Sequence, residues 1–320
     1  PGDIRKVAPW LRPDVAVLTG VSEIPAHVEF FDSPDHVFRE KRALAEHLKP
    51  GGKLILNGDD PRMRELRTEF RGASIMYGCE PNDDFFASHY EIYYEEGRPA
   101  GVRFRINHGG SSIPATVHGA LGLPRMYAAT AAIAVAEAIG IDEVSAIGEL
   151  KDWTPPPGRV RLIPGMKGAT IIDDTYNSSP AAALAALDTL KSVNPGSGGR
   201  RIAVLGDMLE LGKFAKDAHK QVGERAAQTA DLLVTIGIRA RTIAEAALDS
   251  GMRDQQILQF DTGLRDAAAE ELARNVREGD IVLVKGSQAM RLEKVVLGLM
   301  AEPLKAAELL VRTEPEWETV

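Results

Sequence analysis

The chain has 320 residues, of which 44% are hydrophobic and 26% charged, a composition typical of soluble globular proteins and a length sufficient for two domains. Its net charge of −8 argues against a nucleic-acid binder or a peripheral membrane protein, because both need a positive field, but does not exclude phosphate ligands. The single cysteine, Cys79, excludes an internal disulfide, and no apolar run approaches the roughly 20 residues of a membrane span, so we expect a cytoplasmic protein.

The first half of the chain predicts a parallel sheet. Apolar runs at 14–19 and 53–57 indicate two buried strands. Ser33-Pro34 and Asp60-Pro61 are typical of helix N-termini, where the first side chain caps the helix and proline takes the first helical position. Strands that alternate with helices in this way imply parallel pairing.

A different pattern follows between residues 85 and 117. Aromatic and β-branched residues alternate with polar ones, and Glu96-Gly97 and Gly109-Gly110 interrupt them as turns. We therefore expect antiparallel hairpins attached to the parallel sheet. An alanine-rich segment, 126–139, is predicted to be a helix.

The segment 153–158, with three consecutive prolines, is the predicted domain boundary, because proline is excluded from helix interiors and central strands. We expect a first domain at 1–154, a second at 155–303 and a tail at 304–320 that forms a partial helix and then frays. In the second domain, short apolar strands alternate with amphipathic helices, which predicts a doubly wound, Rossmann-like α/β fold. The predicted strands are 170–174, 201–206, 232–237 and 280–286.

Polar clusters stand at the carboxyl ends of these four strands, where open α/β sheets bind their ligands. Acids and amides there can contact ribose, phosphate or a metal, or can instead cap the helices that follow. Four such clusters on one sheet edge favour a binding site. They are 173–177, 206–210, Gly237 and 285–288.

Three of these segments resemble the Mur ligase family. Residues 172–180 (IDDTYNSSP) are similar to its DDSYNANP stretch, 201–212 (RIAVLGDMLELG) match its RIAVLGDMLELG, and 284–293 (VKGSQAMRLE) resemble its VKGSRAMRLE. The resemblance covers nearly the whole chain. It implies the C-terminal portion of a central ATPase domain, followed by the Rossmann-like domain.

The resemblance also implies an activity, which is ATP- and Mg²⁺-dependent formation of a peptide bond through an acyl phosphate. The second and third segments favour the branch of the family that adds D-Ala-D-Ala to UDP-N-acetylmuramoyl-tripeptide in peptidoglycan synthesis. Independently of the resemblance, we expect a monomer, and the charge and the lack of a long apolar run predict no nucleic-acid partner and no membrane insertion.

Residues 21–29 (VSEIPAHVE) are similar to the family's NIGPAHLE segment, although Ser22-Glu23 replaces the usual Ile-Gly. The resemblance implies that His27 helps to hold magnesium and that Lys41, as a carbamate, positions the metal in catalysis. An ammonium group cannot ligate a cation, whereas a carbamate oxygen can. Taken alone, His27 is a structural loop residue and Lys41 a solvated lysine.

Residues 158–160 (GRV) resemble the hinge of the family, whose arginine reaches the terminal phosphates of ATP. The resemblance therefore implies a catalytic and nucleotide-binding role for Arg159, and the planar guanidinium suits a phosphoryl group. Asp174 is expected to contact the nucleotide and to serve catalysis, with Tyr176 and Asn177 beside the adenine or ribose. The linker 155–159 is the expected hinge.

Two features depart from the family pattern. No G-x-x-x-x-G-K-[ST] loop occurs in these residues, and the resemblance places it upstream, so we expect the chain alone to be inactive. The family's G-x-H-N-x-x-N stretch aligns with 122–128, where Arg125 and Ala128 replace both asparagines that meet the adenine. Arg125 can stack on a base, but it cannot reproduce the paired donor and acceptor of an amide.

Two alternatives stay open. The chain can belong to another amino-acid ligase of the superfamily, against which the GDMLELG and KGS loops argue. It can also be a non-catalytic binding module descended from such a ligase, which the departures favour. A dehydrogenase is disfavoured, because no strand opens into G-x-G-x-x-G.

Overall fold

The computed structural model describes residues 1–317 and divides into two compact units. The first unit comprises residues 1–91, 102–118 and 123–153. The second comprises 92–101, 119–122 and the chain from 154 onward. Within residues 1–317, every helix is too short or too polar to cross a lipid bilayer.

The first sheet has six strands in the order β1-β2-β3-β4-β5-β6, which is also their order along the chain. The first four strands pair in parallel, and two-residue turns then connect β4, β5 and β6 as hairpins. This mixed α/β architecture confirms the predicted parallel sheet with attached hairpins. The elements are α1 (Asp3–Leu11), β1 (Val15–Leu18), α2 (Pro34–Glu46), β2 (Lys53–Asn57), α3 (Pro61–Glu69), β3 (Ala73–Gly78), β4 (Phe85–Glu95), β5 (Arg98–His108), β6 (Ser111–His118), α4 (Leu123–Ala138) and α5 (Glu143–Glu149).

Both predicted helix caps are present. Ser33 Oγ accepts a hydrogen bond from the His36 amide at 3.2 Å, and Asp60 Oδ1 accepts one from the Arg62 amide at 2.9 Å. Helix α4 begins at Leu123, three residues before the predicted start, because Pro124 fits the first turn, where no amide donor is needed.

The second sheet also has six strands, in the order β11-β10-β9-β12-β8-β7. All neighbours are parallel except β7, which is antiparallel to β8. The carboxyl ends of β8, β9, β10 and β12 therefore lie at one edge. The elements are β7 (Arg161–Pro164), β8 (Thr170–Asp174), α6 (Pro180–Ser192), β9 (Arg201–Gly206), α7 (Ala215–Ala227), β10 (Leu232–Ile236), α8 (Arg241–Asp249), β11 (Ile257–Phe260), α9 (Arg265–Asn275), β12 (Ile281–Lys285), α10 (Glu293–Leu299) and α11 (Ala306–Leu309).

Strand β12 is the centre of this sheet and is buried along its whole length. It lies between β8 and β9, with Lys285 in register with both Asp174 and Leu205. Continuous apolar strands of this kind are typical of parallel sheets covered on both faces. The order brings the end of the last strand next to the end of the first parallel strand.

The predicted fraying after residue 303 is wrong for the described part of the tail. The partial helix is present as α11, but Arg312 beyond it is only 9% exposed. Its guanidinium lies 2.8 Å from the carboxylate of Glu293, which is also buried. A buried ion pair thus fixes this part of the tail. The last three residues of the predicted tail lie outside the described chain.

Candidate active site

An ion pair joins the ends of two neighbouring strands of the second sheet. Lys285 closes β12, Asp174 closes β8, and Lys285 Nζ lies 2.6 Å from Asp174 Oδ2. Both side chains are buried, and Lys285 is only 2% exposed. Lys285 Nζ also donates to the Asn177 carbonyl at 3.0 Å. Because a buried ammonium needs such partners, Lys285 fixes the loop after β8 against the sheet.

The neighbouring Asp173 joins this loop to the proline-rich linker. It is fully buried and accepts hydrogen bonds from the Gly158 amide at 2.9 Å, the Thr175 amide at 3.2 Å and the Thr175 hydroxyl at 2.6 Å. Burial raises the pKa of Asp173 to about 6. In return, the Gly158 carbonyl accepts from the Tyr176 amide at 3.1 Å. The two segments therefore hold each other through both polar groups of Gly158.

Gly158 is required sterically as well. Its φ is +68°, in the left-handed region, and a Cβ on it would lie 2.8 Å from the Tyr176 nitrogen. This close approach brings the next residue, Arg159, over the Tyr176 ring, with 4.0 Å between the guanidinium carbon and the ring centroid. Both side chains are exposed. They form a cation–π pair that presents an aromatic face and a guanidinium together.

The structure thus brings four of the predicted site residues into one corner of the second unit: Arg159, Asp174, Tyr176 and Asn177. Asn177 is partly exposed, and its side-chain oxygen accepts from the Ser178 amide at 2.8 Å. We call these four residues with Lys285 the strand-end corner. A guanidinium suits phosphate, and an aromatic face suits a planar base.

The GDMLELG and KGS loops contact each other at the same edge. The Ser287 amide donates to the Asp207 carbonyl at 3.0 Å, and Ser287 Oγ accepts from the Leu209 amide at 2.8 Å. The side chain of Asp207 is buried and accepts from the Ala240 amide at 2.7 Å, just before α8. Asp207 thus binds the segment before α8 and does not cap α7, the helix that follows it in the chain.

Gly237 has a steric role in this arrangement. Its φ is +120°, and a Cβ there would meet Asp207 Oδ1 at 2.3 Å. The glycine at the end of β10 consequently leaves room for the Asp207 carboxylate.

Sequence reasoning missed His219, which supports the GDMLELG loop. His219 is buried, its Nδ1 lies 2.7 Å from the Ala215 carbonyl, and its Nε2 accepts from the Met208 amide at 3.0 Å. Burial lowers the pKa of His219, which favours the neutral ring that this arrangement needs. One histidine inside an amphipathic helix offered no motif that would have revealed this contact.

The remaining predicted residues lie in the first unit. His27 is exposed, with φ +65°, where a short 3₁₀ turn begins, and Lys41 is exposed on α2. Arg125 is partly buried in the first turn of α4. Among residues 1–317, no three side chains of the histidine, cysteine, aspartate or glutamate type group as a metal site. The metal roles of His27 and Lys41 stay predictions.

The first unit also has a polar cleft of about 650 Å³ at the ends of β1 and β2, which sequence reasoning did not identify. Tyr127 donates from its hydroxyl to Asp59 Oδ2 at 2.6 Å, and the Cys79 amide donates to the same oxygen at 2.8 Å. Tyr127 is one residue before Ala128, so a tyrosine–carboxylate pair lies beside one of the departures from the family pattern. The cleft is lined by Thr19, Gly20, Val21, Ser22, Glu23, Asn57, Asp59, Asp60, Pro61, Arg62 and Tyr127.

Comparison with known families accounts for both units. Residues 2–136 match the Mur ligase middle domain, and residues 158–288 match the Mur ligase, glutamate ligase domain. The chain therefore belongs to the Mur ligase family, as the three strand-end segments predicted.

Its relatives point to one branch of that family. The chain is 29% identical over 304 residues to UDP-N-acetylmuramoyl-tripeptide–D-alanyl-D-alanine ligase of Bacillus subtilis (strain 168), a match that covers 95% of this chain and 63% of the relative. It is 31% identical to the ligase of the same name from Synechocystis sp., covering 94% and 61% of the two chains. The chain thus spans about three-fifths of the length of these relatives.

A solved structure agrees with this fold. The crystal structure of MurF ligase from Thermotoga maritima in complex with ADP is similar with a TM-score of 0.78 and 27% identity. The similarity covers 92% of this chain and 64% of that one.

Proposed function

We propose that the chain is part of an ATP-dependent ligase that adds D-Ala-D-Ala to UDP-N-acetylmuramoyl-tripeptide, with the strand-end corner as its contribution to the nucleotide site. The observation that carries the proposal is that Arg159 and Tyr176 stack at 4.0 Å beside the buried Lys285–Asp174 pair. Relatives at 29% and 31% identity carry the name of that ligase, and a similar structure is a complex with ADP.

The residues of the corner suit distinct parts of a nucleotide. The exposed face of Tyr176 can stack on the adenine, while the partly exposed Asn177 lies beside it for the ribose or base. Arg159 supplies a guanidinium fork for the terminal phosphates. The buried Lys285–Asp174 pair keeps the loop rigid, which preorganises these contacts before the nucleotide binds.

The proposed reaction has two steps. An oxygen of the tripeptide carboxylate attacks the γ-phosphorus of ATP, and the bond from that phosphorus to the β,γ-bridging oxygen breaks. ADP departs, and the tripeptide carboxylate has become an acyl phosphate. The amine of D-Ala-D-Ala then attacks the acyl carbon, phosphate leaves, and the amine loses a proton. Arg159 would neutralise charge on the transferring phosphoryl group, which is the main contribution a protein makes to such a transfer.

The choice of dipeptide over a single amino acid rests on the GDMLELG and KGS loops. Hydrogen bonds through Ser287 hold the two loops together at the sheet edge. We propose that the dipeptide lies against these loops. Two assignments compete with this one. One is another amino-acid ligase of the superfamily, and the other is a non-catalytic module, which the replacement of the adenine-binding asparagines by Arg125 and Ala128 supports.

The test is a ligase assay on the complete gene product with UDP-N-acetylmuramoyl-tripeptide, ATP and Mg²⁺. Acceptors are D-Ala-D-Ala, D-alanine, L-lysine and diaminopimelate, with product followed by mass and ADP by coupled absorbance. We expect product with the dipeptide only. Product with a single amino acid, on this donor or on UDP-N-acetylmuramoyl-L-alanyl-D-glutamate, would identify another ligase. No ADP release with either donor and any acceptor would support the non-catalytic module.

A matched pair of variants locates the activity in the corner. Tyr176→Ala should raise the KM for ATP about ten-fold or more, as loss of a stacking aromatic does. Tyr94→Ala is the control, because Tyr94 is a similarly exposed tyrosine of the second unit whose hydroxyl accepts from the Asn194 amide at 2.8 Å, outside the corner. Equal KM values for the two variants would contradict the proposed site.

We also propose that the protein is a cytoplasmic monomer. The net charge of −8 and the single cysteine support this. Light scattering coupled to size-exclusion chromatography tests the oligomeric state.

A further inference from the structure

We infer that Arg312, in the C-terminal tail, is a positioning residue that sets the orientation of Tyr176 for the nucleotide. The inference rests on the proposed function of the strand-end corner. No described contact joins Arg312 to Arg159 or to the Lys285–Asp174 ion pair. Arg312 acts on Tyr176 through the backbone, at the carbonyls of Thr175 and Tyr176.

The contacts of Arg312 span the peptide units around Tyr176. Its Nη2 donates to the Thr175 carbonyl at 2.7 Å, and its Nη1 donates to the Tyr176 carbonyl at 3.2 Å. The Tyr176 amide is held by the Gly158 carbonyl. Every backbone polar group that directs the Tyr176 side chain is therefore bound, two of them by the tail.

Buried charges link Arg312 to the loop that contains Tyr176. Arg312 and Arg291 both pair with Glu293, at 2.8 and 2.5 Å, and the side chains of all three are at most 5% exposed. Two buried cations thus share one buried anion. The carbonyls of Thr175 and Tyr176 supply the further negative ends of dipoles that Arg312 needs. The two loop carbonyls therefore help to satisfy the buried guanidinium, and the guanidinium in return holds these two peptide units.

Apart from the Gly158 carbonyl, which holds the Tyr176 amide, the other ties of the loop bind its neighbours and leave the Tyr176 carbonyl to Arg312. Lys285 binds the Asn177 carbonyl, and Asp173 binds the amide and hydroxyl of Thr175. Loss of the Arg312 fork should therefore leave the strand ends in place and free the Tyr176 ring to leave Arg159. This separates a positioning role from a general role in stability.

The experiment compares three variants of the complete gene product. Arg312→Met keeps most of the side-chain length and removes the fork, and Arg312→Lys keeps the charge. Arg201→Met is the control, because Arg201 also donates twice to a backbone carbonyl, that of Val193 at 3.1 and 2.9 Å, at the opposite end of β9. Each is assayed for the Kd of ADP, the melting temperature, and hydrogen exchange of the peptide that contains residues 174–178.

We expect Arg312→Met to raise the Kd of ADP about ten-fold and to accelerate exchange in that peptide, since bonds from a charged donor are lost. Arg312→Lys should recover part of the affinity, and Arg201→Met should change only the melting temperature. When Tyr176→Ala is added to Arg312→Met, the Kd should not rise beyond that of Tyr176→Ala alone, because both act through one ring.

Three results would overturn the inference. One is an unchanged Kd in Arg312→Met while the parent protein binds ADP, and another is a fully additive effect of the two substitutions. If Arg312→Met does not fold, parent-like affinity and exchange in Arg312→Lys would overturn the inference in its place. A parent protein that binds no ADP would instead overturn the proposed function itself, and the role of Arg312 with it.

Discussion

Lys285 Nζ lies 2.6 Å from Asp174 Oδ2, and the two residues are register partners at the ends of adjacent parallel strands. The parallel order of β8 and β12 thus creates the contact, because it brings the last residues of both strands to the same edge. An ion pair made by strand order is a rigid base for the exposed side chains of a ligand site.

The pair gives a first prediction about stability. Lys285→Met should lower the free energy of unfolding by about 3–5 kcal/mol, because it leaves the Asp174 carboxylate buried without its cation. The double variant Lys285→Met, Asp174→Asn should recover most of this loss, since no buried charge remains. Urea denaturation measures both, and a single variant as stable as the parent would show that the pair is not buried in solution.

Asp173 gives a prediction about pH. Its folded pKa of about 6 lies above that of an unfolded aspartate, so the folded state holds more protons between about pH 4 and pH 6. The contribution of Asp173 is therefore complete below about pH 4 and is lost as pH rises through 6. Across this range the free energy of unfolding of the parent should fall by up to roughly 3 kcal/mol relative to that of Asp173→Asn, at about 1.4 kcal/mol for each pKa unit.

The measurement is the difference between urea unfolding free energies of the parent and Asp173→Asn from pH 4 to pH 8. Taking the difference cancels the other carboxylates. A difference that is flat with pH, or that grows in favour of the parent as pH rises, would contradict the buried and raised state of Asp173.

Gly158 gives a prediction about backbone strain. Gly158→Ala should cost about 1–3 kcal/mol, because alanine is strained at φ +68° and its Cβ would lie 2.8 Å from the Tyr176 nitrogen. Gly198→Ala is a control, since Gly198 also has a positive φ, of +72°, and a Cβ on it would meet nothing within 4 Å. Of the two variants, only Gly158→Ala should also weaken ADP binding. Equal affinities for ADP in both variants would contradict a role of Gly158 in shaping the nucleotide site.

Arg159 gives a prediction about chemistry with little effect on folding. Its side chain is exposed, so Arg159→Ala should leave the melting temperature nearly unchanged while it lowers kcat/KM for ATP about 100-fold. Arg159→Lys should recover little, because an ammonium lacks the planar fork and stacks less well on Tyr176. Full activity of the lysine variant would show that only charge is needed at this position.

Much of the fold could be predicted, because short-range rules decide it. Ser33 and Asp60 cap helices as expected, and the strands that end at Asp174 and Gly206 have the predicted bounds. Strands β3, β7 and β11 were not predicted. Strand β7 contains Arg161 and Pro164, and its pairing with β8 comes from the tertiary fold, which local propensity does not report.

The parts of the site that lie in short sequence segments could be predicted. The parts formed by residues distant in the sequence could not. The resemblance nominated Arg159 and Tyr176, but no local pattern indicated that Arg312 would bind the loop after β8, which contains Tyr176. Its two contacts with this loop join residues more than 130 positions apart in the chain. Long-range pairs of this kind follow from packing, so the tail was wrongly expected to fray.

Photocrosslinking of the complete gene product with 8-azido-ATP, followed by mapping of the labelled peptide, tests directly whether the strand-end corner binds the nucleotide. We expect label in the peptide that contains Tyr176, abolished by excess ATP and strongly reduced in Tyr176→Ala but not in Tyr94→Ala. Competable label confined to other peptides, with none at the loop after β8, would contradict nucleotide binding at the corner.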